Sequence, residues 1–305
     1  MFEQLKTPYS FRKSAQWLWR YLKNGDHSNP TGLKSARVHF EAPEIPQVRL
    51  LLIGDLMGLS GKRLVFGEDL KGLAHSCDKV IANLEGPITE SKDLVFIKQY
   101  NTPDLLEDLD QLASLSRWVF SLANNHIYDY GLKGVEQTIQ RIEASSAQHF
   151  GTRFRPVHLE KNGALYGVTE WQNRQSPYPI SLEAPVFKTS DAEFHILYPH
   201  WGEEFCFYPS PSQRNLAKSL LMEYDLIVGH HSHTPQPTEK IEERYCCYSL
   251  GNFYIYFDKP MLSRGKVVEV GWSGGNLVLF KESFCQTQFI DKKTLKIDLV
   301  GDSVE

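Results

Sequence analysis

Five short apolar segments of this chain end in carboxylate, amide or imidazole side chains, and this repeated pattern constrains the fold more than any other feature. The segments are VRLLLIGDL (48–56), KVIANLEGP (79–87), RWVFSLANNH (117–126), FHILYPHWG (194–202) and DLIVGHHSH (225–233). Each is typical of a buried strand that delivers polar residues at its carboxyl end. Helix-like periodicity occurs between some of them, in residues 102–115 and 131–146. This alternation of strands and helices predicts a layered α/β domain.

Two flanking regions add to this domain. From Cys246 onward, apolar and polar residues alternate in short runs separated by glycine turns, which predicts a second sheet. Residues 10–23 predict a helix, because apolar side chains recur there at helical spacing: Phe11, Ala15, Leu18, Trp19 and Leu22. This helix either packs back onto the domain or docks on a membrane surface or a partner. Residues 24–32 are rich in turn formers and predict a linker.

The bulk composition excludes several classes of protein. With 305 residues, of which 41% are hydrophobic and 23% charged, the chain suits one large α/β domain or two small ones. A formal net charge of −4 leaves no global basic field, so a nucleic-acid partner is disfavoured. Five cysteines without CxxC spacing favour a reducing compartment. Since we find no secretory h-region and no apolar stretch of about 20 residues, we expect a cytoplasmic protein without a transmembrane segment.

The polar ends of the five segments carry side chains that bind divalent metals or transfer protons. These residues are Asp55, Glu85, Asn125, His126, His200, His231 and His233. In α/β sheets, ligands gather where the strands end, because the loops converge there while the core stays apolar. Such a set could enclose a pair of ions, and its mixed oxygen and nitrogen donors suit Mn, Fe or Zn better than Ca or Mg.

Each of these residues also has a purely structural interpretation. Asp55 after a glycine could form a turn or a helix cap, and the turn 124–126 could simply introduce the next helix. His200 beside Trp201 could be a half-buried, hydrogen-bonded imidazole. The tract 230–233 favours metal binding, because imidazoles two positions apart on one side of a strand end form a chelating geometry.

Six ordered motifs resemble those of the CapA-like poly-γ-glutamate capsule synthesis family, a bacterial relative of the calcineurin-like metallophosphoesterases. They are GDLM (54–57), ANLEGPIT (82–89), SLANNHIYDYG (121–131), PHWGEEF (199–205), DLIVGHHSHTPQP (225–237) and YSLGNF (248–253). The resemblance implies an α/β fold, a four-layer αββα metallophosphoesterase-like sandwich of two mixed sheets flanked by helices. This domain would occupy residues 48–305, and residues 1–47 would form the N-terminal amphipathic helix and its linker.

The resemblance also implies one or two divalent transition metals as cofactors. The implied ligands are Asp55 and His233 for the first metal, Asn125, His200 and His231 for the second, and Glu85 as the bridge between them. Typical phosphoesterases have Asp at the bridging position, whereas this chain has Glu. The implied bridging position therefore departs from the typical pattern, with one or two metals at the centre.

The same resemblance implies metal-dependent hydrolysis linked to capsule or poly-γ-glutamate metabolism. A water activated by the metal would attack a phosphoester or a γ-glutamyl-type amide, in a small molecule or a polymer. His126 would be the catalytic acid that protonates the leaving group. The residues that would contact substrate or hold the ligands are Asn83, Asn124, Glu204 and Asn252.

Two departures from the family pattern leave a second function open. Met57 stands where typical phosphoesterases have a His two residues after the first Asp, so the first metal has one imidazole fewer. The Arg that usually follows Gly-Asp in the capsule family is represented, if at all, by Arg63 after an intervening GLSGK. The alternative function is a non-catalytic accessory protein of polymer or capsule assembly with a degenerate metal site.

Overall fold

The computed structural model describes residues 11–34, 36–58, 61–90, 99–171, 181–182, 188–189 and 191–301. These ranges contain the α-helices α1 (Phe11–Leu22), α2 (Glu68–Ser76), α3 (Asp104–Asp110), α4 (Gly131–Ala144) and α5 (Pro211–Leu220). Short 3₁₀ helices occupy Leu115–Arg117 and Pro260–Ser263. Within the same ranges, no helix combines the length and the apolar character needed to cross a membrane.

The larger sheet has ten strands and is mixed. Its strands are β1 (His39–Glu41), β2 (Val48–Leu56), β3 (Arg63–Phe66), β4 (Lys79–Leu84), β5 (Trp118–Ser121), β6 (Gln148–Phe150), β13 (Asn252–Tyr254), β14 (Arg264–Ser273), β15 (Asn276–Phe289) and β16 (Thr294–Val300). The order is β3-β16-β15-β14-β2-β4-β5-β6, with β13 also paired to β2 and β1 to β15. β2, β4, β5 and β6 are parallel, whereas β14 runs antiparallel to β2. β2 is therefore a central, almost fully buried strand.

The smaller sheet has six strands and is also mixed. Its strands are β7 (Val157–Glu160), β8 (Gly163–Thr169), β9 (Phe194–His200), β10 (Leu226–Val228), β11 (Thr238–Ile241) and β12 (Arg244–Cys247). The order is β11-β12-β10-β9-β8-β7. β8, β9, β10 and β12 are parallel, and the two edge strands β7 and β11 are antiparallel to their neighbours.

Apolar side chains fill the spaces between helices and sheets. Along β2, Leu51 and Ile53 face helices α2, α3 and α4, whereas Leu50 and Leu52 face the smaller sheet. This alternation follows from the two-residue period of a strand. Ala217 of α5 packs on the outer face of the smaller sheet. The two sheets thus lie face to face, with helices on both outer sides.

This architecture confirms the predicted α/β class with two mixed sheets and flanking helices. The prediction that the chain from Cys246 onward forms the second sheet is wrong. Of that region, only the end of β12 joins the smaller sheet within the described residues, and β13 to β16 extend the larger one, with Val267 of β14 opposite Ile53 of β2. Alternation along a strand predicts its two faces, but it does not identify the neighbouring strand.

The carboxyl ends of the parallel strands of both sheets meet at one edge of the sandwich. The Tyr198 hydroxyl of β9 donates to the Ile53 carbonyl of β2 at 2.6 Å, which joins the two sheets directly beside this edge. Gly54 is needed here, because a Cβ at this position would lie 1.9 Å from the Gly251 carbonyl oxygen. The close approach of the two backbones fixes Asp55, whose N–H donates to the same carbonyl at 3.0 Å.

Helix α1 packs back onto the sandwich, but through a different face from the predicted apolar stripe. Trp17 and Tyr21 contact Phe205, with ring centroids 5.4 and 5.8 Å apart. Three members of the predicted stripe are instead 48–66% exposed: Leu18, Trp19 and Leu22. The side chain of Phe11 and residues 1–10 lie outside the described residues. Docking of residues 10–23 on another surface stays a prediction.

Candidate metal centre

Asp55 lies near the end of β2 and is fully buried among polar partners. Its Oδ1 accepts a hydrogen bond from Asn83 Nδ2 at 2.8 Å and lies 3.4 Å from His230 Nδ1. Its Oδ2 accepts the His231 N–H at 3.1 Å and lies 3.4 Å from His233 Nδ1. Burial acts to raise the pKa of Asp55, but the interactions with His230 and His233 outweigh it and hold the pKa well below its usual value. Asp55 is therefore ionised, which is the form in which a carboxylate can bind a metal ion.

Glu85 follows β4 and presents a buried carboxyl group in which neither oxygen has a hydrogen-bond partner within the described part of the chain. Its Oε1 lies 3.7 Å from His233 Nε2 and 3.9 Å from His200 Nε2. Burial raises the pKa of Glu85 to about 8, although His233 partly offsets the effect. Because buried carboxyl oxygens are almost always hydrogen-bonded, this geometry fits a group that binds a cation between two imidazoles.

His200 and His231 present neutral imidazoles to the same space. Their ring centroids lie 4.3 Å apart, and His200 Nε2 lies 2.8 Å from Asn125 Oδ1. Burial lowers the pKa of both histidines, that of His231 to about 3. Among the described residues, neither ring nitrogen of His231 has a hydrogen-bond partner. A neutral imidazole with an available lone pair is the form that binds a transition metal.

Asn252 determines which nitrogen of His233 faces the centre. The Asn252 amide donates to the carbonyl oxygens of His233 at 3.2 Å and Leu262 at 2.6 Å, so its Oδ1 is left to accept from His233 Nδ1 at 2.9 Å. His233 Nε2 therefore faces Glu85. Burial acts to lower the pKa of His233, but Glu85 and Asp55 outweigh it and raise the pKa to about 10. A cation bound at Nε2 would replace the proton there.

The backbone at two of these histidines is strained. His231 and His233 have φ angles of 95° and 55°, in the left-handed region that residues with a Cβ seldom adopt. Such conformations persist only where the surroundings hold them, and they cluster at functional sites. Here the His231 N–H is held by Asp55 and the His233 carbonyl by Asn252. The two rings consequently lie 6.1 Å apart at the same edge.

Three groups of ligand atoms lie close enough together to hold metal ions. Within each group the atoms are no more than 4.8 Å apart, and the groups are Asp55, His200 and His230; Glu85, His200 and His231; and Asp55, Glu85 and His233. Atoms bound to one transition metal at about 2.0–2.2 Å lie roughly 3–3.5 Å from one another, so these groups approach the spacing of a coordination shell. The groups share members and form one continuous centre. Its oxygen and nitrogen ligand atoms, and the Glu85 and His231 atoms that have no partner among the described residues, fit one or two transition-metal ions.

His126 lies beside this centre and belongs to none of the three groups found among the described residues. Its Nδ1 is 2.7 Å from Asp129 Oδ2, which also accepts the Gln99 N–H at 2.8 Å. Burial acts to lower the pKa of His126, but the Asp129 carboxylate outweighs it and raises the pKa to about 9. At neutral pH His126 is therefore protonated, which is the state that a catalytic acid requires.

Two buried amides connect the strand ends behind the ligands. Asn124 Nδ2 donates to Asn83 Oδ1 at 3.1 Å and to the Leu84 carbonyl at 2.8 Å. Asn124 Oδ1 accepts the His126 N–H at 3.1 Å, and Asn83 donates to Asp55. This chain of hydrogen bonds holds Asp55 and His126 at fixed positions relative to each other.

Two other sequence candidates belong to none of the three ligand groups found among the described residues. Glu204 accepts a hydrogen bond from Trp17 Nε1 of α1 and lines a narrow pocket together with His231. Arg63 contacts Asp108 through Nε at 2.8 Å and Nη2 at 2.7 Å. Arg63 therefore supports the packing of α3 against β3 and does not face the centre.

Sequence reasoning placed His230 in a tract that favours metal binding but gave it no individual role, and it did not single out Asp129. His230 Nδ1 lies 2.8 Å from His200 Nδ1, because β10 runs beside β9 in the smaller sheet. The signal for His230 was its position in the histidine tract, but periodicity alone does not decide which imidazole of the tract faces which neighbour. The signal for Asp129 was its position three residues after His126, because side chains three residues apart in a helical turn can contact each other.

The chain is similar to proteins of capsule and polymer synthesis. The family model described as bacterial capsule synthesis protein PGA_cap matches residues 59–256. The capsule biosynthesis protein CapA of Bacillus anthracis is 28% identical over 247 residues, which cover 69% of this chain and 60% of the relative. The PGA biosynthesis protein CapA of Bacillus subtilis (strain 168) is 28% identical over 203 residues, covering 59% and 53%.

Two weaker similarities were also found. A probable polyglutamine synthesis accessory protein of Mycobacterium tuberculosis is 23% identical over 224 residues, covering 62% of this chain and 59% of the relative. A crystal structure of a hypothetical protein from Thermus thermophilus has a TM-score of 0.48 and 15% identity, covering 78% of this chain and 99% of that one. The match thus spans 53–60% of the length of the three curated relatives. Since the family model matches well over half of the sequence, the chain belongs to the bacterial capsule synthesis protein (PGA_cap) family.

Proposed function

We propose that this chain is a metal-dependent hydrolase with a metallophosphoesterase-like fold. The observation that carries the proposal is that the buried side-chain polar atoms of Glu85 and His231 have no hydrogen-bond partner in the described part of the chain, in a cluster that also contains His200. Burying a polar group without a partner costs free energy, so a ligand that satisfies these atoms is the simplest reason for their persistence. We assign the hydrolase domain to residues 48–305 and the N-terminal helix with its linker to residues 1–47.

The roles that we propose for the ligands follow the local geometry. Asp55 and His233 would hold one metal, and Glu85 lies where it would bridge to a second. The second metal would be held by Asn125, His200 and His231, and its Asn125 Oδ1 and His200 Nε2 ligand atoms lie 2.8 Å apart. Mn, Fe or Zn suits this donor set.

The proposed reaction is hydrolysis of a phosphoester or a γ-glutamyl-type amide. Bound divalent ions would supply Lewis-acid polarisation of the scissile group and a water of lowered pKa. His126, held in its charged form by Asp129, would donate its Nε2 proton to the leaving oxygen or nitrogen. Asn83 and Asn124 would keep Asp55 and His126 in place during the reaction. The names of the Bacillus relatives support a substrate from capsule or poly-γ-glutamate metabolism.

A non-catalytic accessory protein of polymer or capsule assembly is the second candidate. The Mycobacterium relative is named as an accessory protein, and Met57 removes one imidazole from the first metal of the family pattern. With this second function the ligands would hold a structural ion, and His126 would not act as a catalytic acid. Replacement of His126 by Ala therefore separates the candidates, because an accessory protein would keep its function.

The experiment that tests the proposal is elemental analysis of the purified wild type beside His231→Ala and His75→Ala. His75 is an exposed histidine on α2 and serves as the matched control. We expect close to two equivalents of transition metal in the wild type and in His75→Ala, and a loss of metal in His231→Ala. A chromogenic phosphodiester assay with added Mn²⁺ should show turnover that falls in His231→Ala and His126→Ala.

Either of two results would overturn the hydrolase proposal. No turnover with any added metal, despite bound metal, would favour the accessory protein. Metal content that is unchanged by His231→Ala would show that the bound ion lies elsewhere.

A further inference from the structure

The inner face of α1 contacts the loop that borders the metal centre. Trp17 Nε1 donates to the Glu204 carboxylate, and Arg20 Nη1 lies 3.0 Å from Glu203 Oε2. The Trp17 ring lies against Phe205, which in turn lies 5.9 Å from the His233 ring. One layer of aromatic side chains therefore separates α1 from a proposed ligand.

A second set of contacts holds the other end of α1. Tyr21 lies 5.8 Å from Phe257, whose ring is 6.1 Å from that of His233. Lys259 lies over the Tyr21 ring at 4.5 Å and donates to the Tyr21 carbonyl. Both ends of the inner face thus contact side chains that pack on His233.

The space left between α1 and the centre is too small for a substrate. A pocket lined by Lys13, Trp17, Arg20, Trp171, Glu203, Glu204 and His231 has a volume of about 10 Å³. That is roughly the space needed for one water molecule. His231 itself has no exposed surface. Anything larger that reaches His231 through this pocket requires α1 or the Trp171 side chain, whose ring lies 5.6 Å from that of His231, to move.

The chain turns sharply where α1 ends. Asn24 and Gly25 both have left-handed φ angles, 61° and 98°, which end the helix. The next residue is fixed, because the Asp26 N–H donates to the Phe205 carbonyl at 2.7 Å and the Asp26 carbonyl accepts the Phe207 N–H at 3.0 Å. The outer face of α1 carries exposed Trp19. Rotation about residues 24–25 would therefore lift α1 and leave the anchor at Asp26 intact.

We propose that α1 is a hinged cover of the metal centre and that Trp17 is the residue that controls access to His231. The inference rests on the proposed function for the identity of the site, but not on any catalytic step. In the closed position the cover admits water and excludes larger molecules. A substrate, or a surface that binds α1, would have to displace Trp17 from Glu204 and Phe205 before the ligands were reached.

The test is the rate at which diethyl pyrocarbonate modifies His231 in metal-stripped protein, measured by peptide mass spectrometry. This reagent acylates neutral imidazoles and is far larger than one water molecule. The variants are Trp17→Ala and, as a matched control, Trp19→Ala on the outer face of the same helix. Exposed His75 provides an internal reference for reagent activity.

We expect modification of His231 to be about tenfold faster in Trp17→Ala, because loss of the ring contact and the hydrogen bond raises the open population by that order. Trp19→Ala should match the wild type. Arg20→Glu should also speed modification, and Arg20→Glu combined with Glu203→Arg should slow it again by restoring the ion pair. Thermal unfolding of each variant identifies any that fail to fold.

Equal His231 rates in wild type, Trp17→Ala and Arg20→Glu, all folded, would refute the cover. A rise in Trp19→Ala equal to that in Trp17→Ala would also refute it, since the effect would then be general loosening of the helix. Because the protein is metal-free, neither result depends on whether the hydrolase proposal holds.

Discussion

Replacement of Glu85 by Gln should make the metal-free protein more stable near neutral pH, although it removes a proposed ligand. Neither Glu85 oxygen has a hydrogen-bond partner among the described residues, and burial raises the pKa of its carboxyl from 4.5 to about 8. Between these two pKa values the folded chain keeps a proton that the unfolded chain has released. The free energy of unfolding therefore falls as the pH rises through this window.

The size of the expected stability difference follows from the pH range between the two pKa values of Glu85. Each pKa unit corresponds to a little over 1 kcal/mol, so between about pH 5 and pH 7 the wild type should lose about 3 kcal/mol relative to Glu85→Gln. Gln has nearly the same shape and does not titrate, and the cost of burying its amide is independent of pH. Glu85 is the largest of the causes that raise the pKa of His233, so the variant should also lower the pKa of His233. The difference between the two stability curves thus reports on the Glu85 carboxyl together with its neighbour His233.

The assay is urea unfolding of both metal-stripped proteins at several values between pH 5 and pH 8. We expect the stability difference to favour Glu85→Gln increasingly as the pH rises. Added Mn²⁺ should reverse the order, because the wild type gains stability by binding and the variant loses a bridging ligand. A difference that does not change with pH would refute the reasoning, since it would mean that Glu85 is solvated or paired in the folded protein.

Two other substitutions test the geometry around the centre. Asp129→Asn should lower the pKa of His126, because the Asp129 carboxylate is the largest of the causes that raise it against the effect of burial. The stability that Asp129 adds through His126 is complete below about pH 6.5 and is lost as the pH rises towards 9, so the variant should lower the free energy of unfolding more at pH 6 than at pH 9.5. The pH above which turnover declines should also become lower in the variant. An unchanged alkaline limit of turnover would contradict the assignment of His126 as the catalytic acid. Gly54→Ala should cost about 1–3 kcal/mol and weaken metal binding, because its Cβ would meet the Gly251 carbonyl at 1.9 Å. Gly72→Ala in α2, where a Cβ meets nothing within 4 Å, should be neutral or stabilising in the same thermal unfolding experiment.

The parts of the fold that sequence predicted are those encoded within single segments. The run ending in Asp55 predicted a strand over 48–56, and β2 has these bounds. Such a run is buried on both faces, so it can be recognised as a strand without knowing which strands lie beside it. The sequence pattern did not show which of the two sheets the later strands join. Every residue of β14 is buried because it lies between β2 and β15, a long-range pairing that alternation cannot specify.

The candidate site was also predicted only where single segments encode it. The strand-end rule predicted that residues from five segments meet, and the structure places Asp55, Glu85, His200 and His233 within one continuous centre. The rule did not predict which nitrogen of each imidazole points inward, because that depends on partners such as Asn252, whose amide is fixed by the Leu262 carbonyl. It also did not predict the contact of α1, since the inner face of this helix carries mixed polar and aromatic residues.

The protonation states of the centre provide an argument for metal that does not depend on family resemblance. In the metal-free protein, Asp55 is ionised, whereas Glu85 and His233 hold their protons near neutral pH. Glu85 Oε1 and His233 Nε2 face each other across 3.7 Å, which is longer than a hydrogen bond, so neither protonated group satisfies the other. A dication between them would displace both protons and convert the least satisfied contact of the site into two coordination bonds. A bound cation would therefore relieve a contact that is costly as part of a hydrogen-bonded core, which is why we propose that the function of the chain lies at this edge of the sandwich.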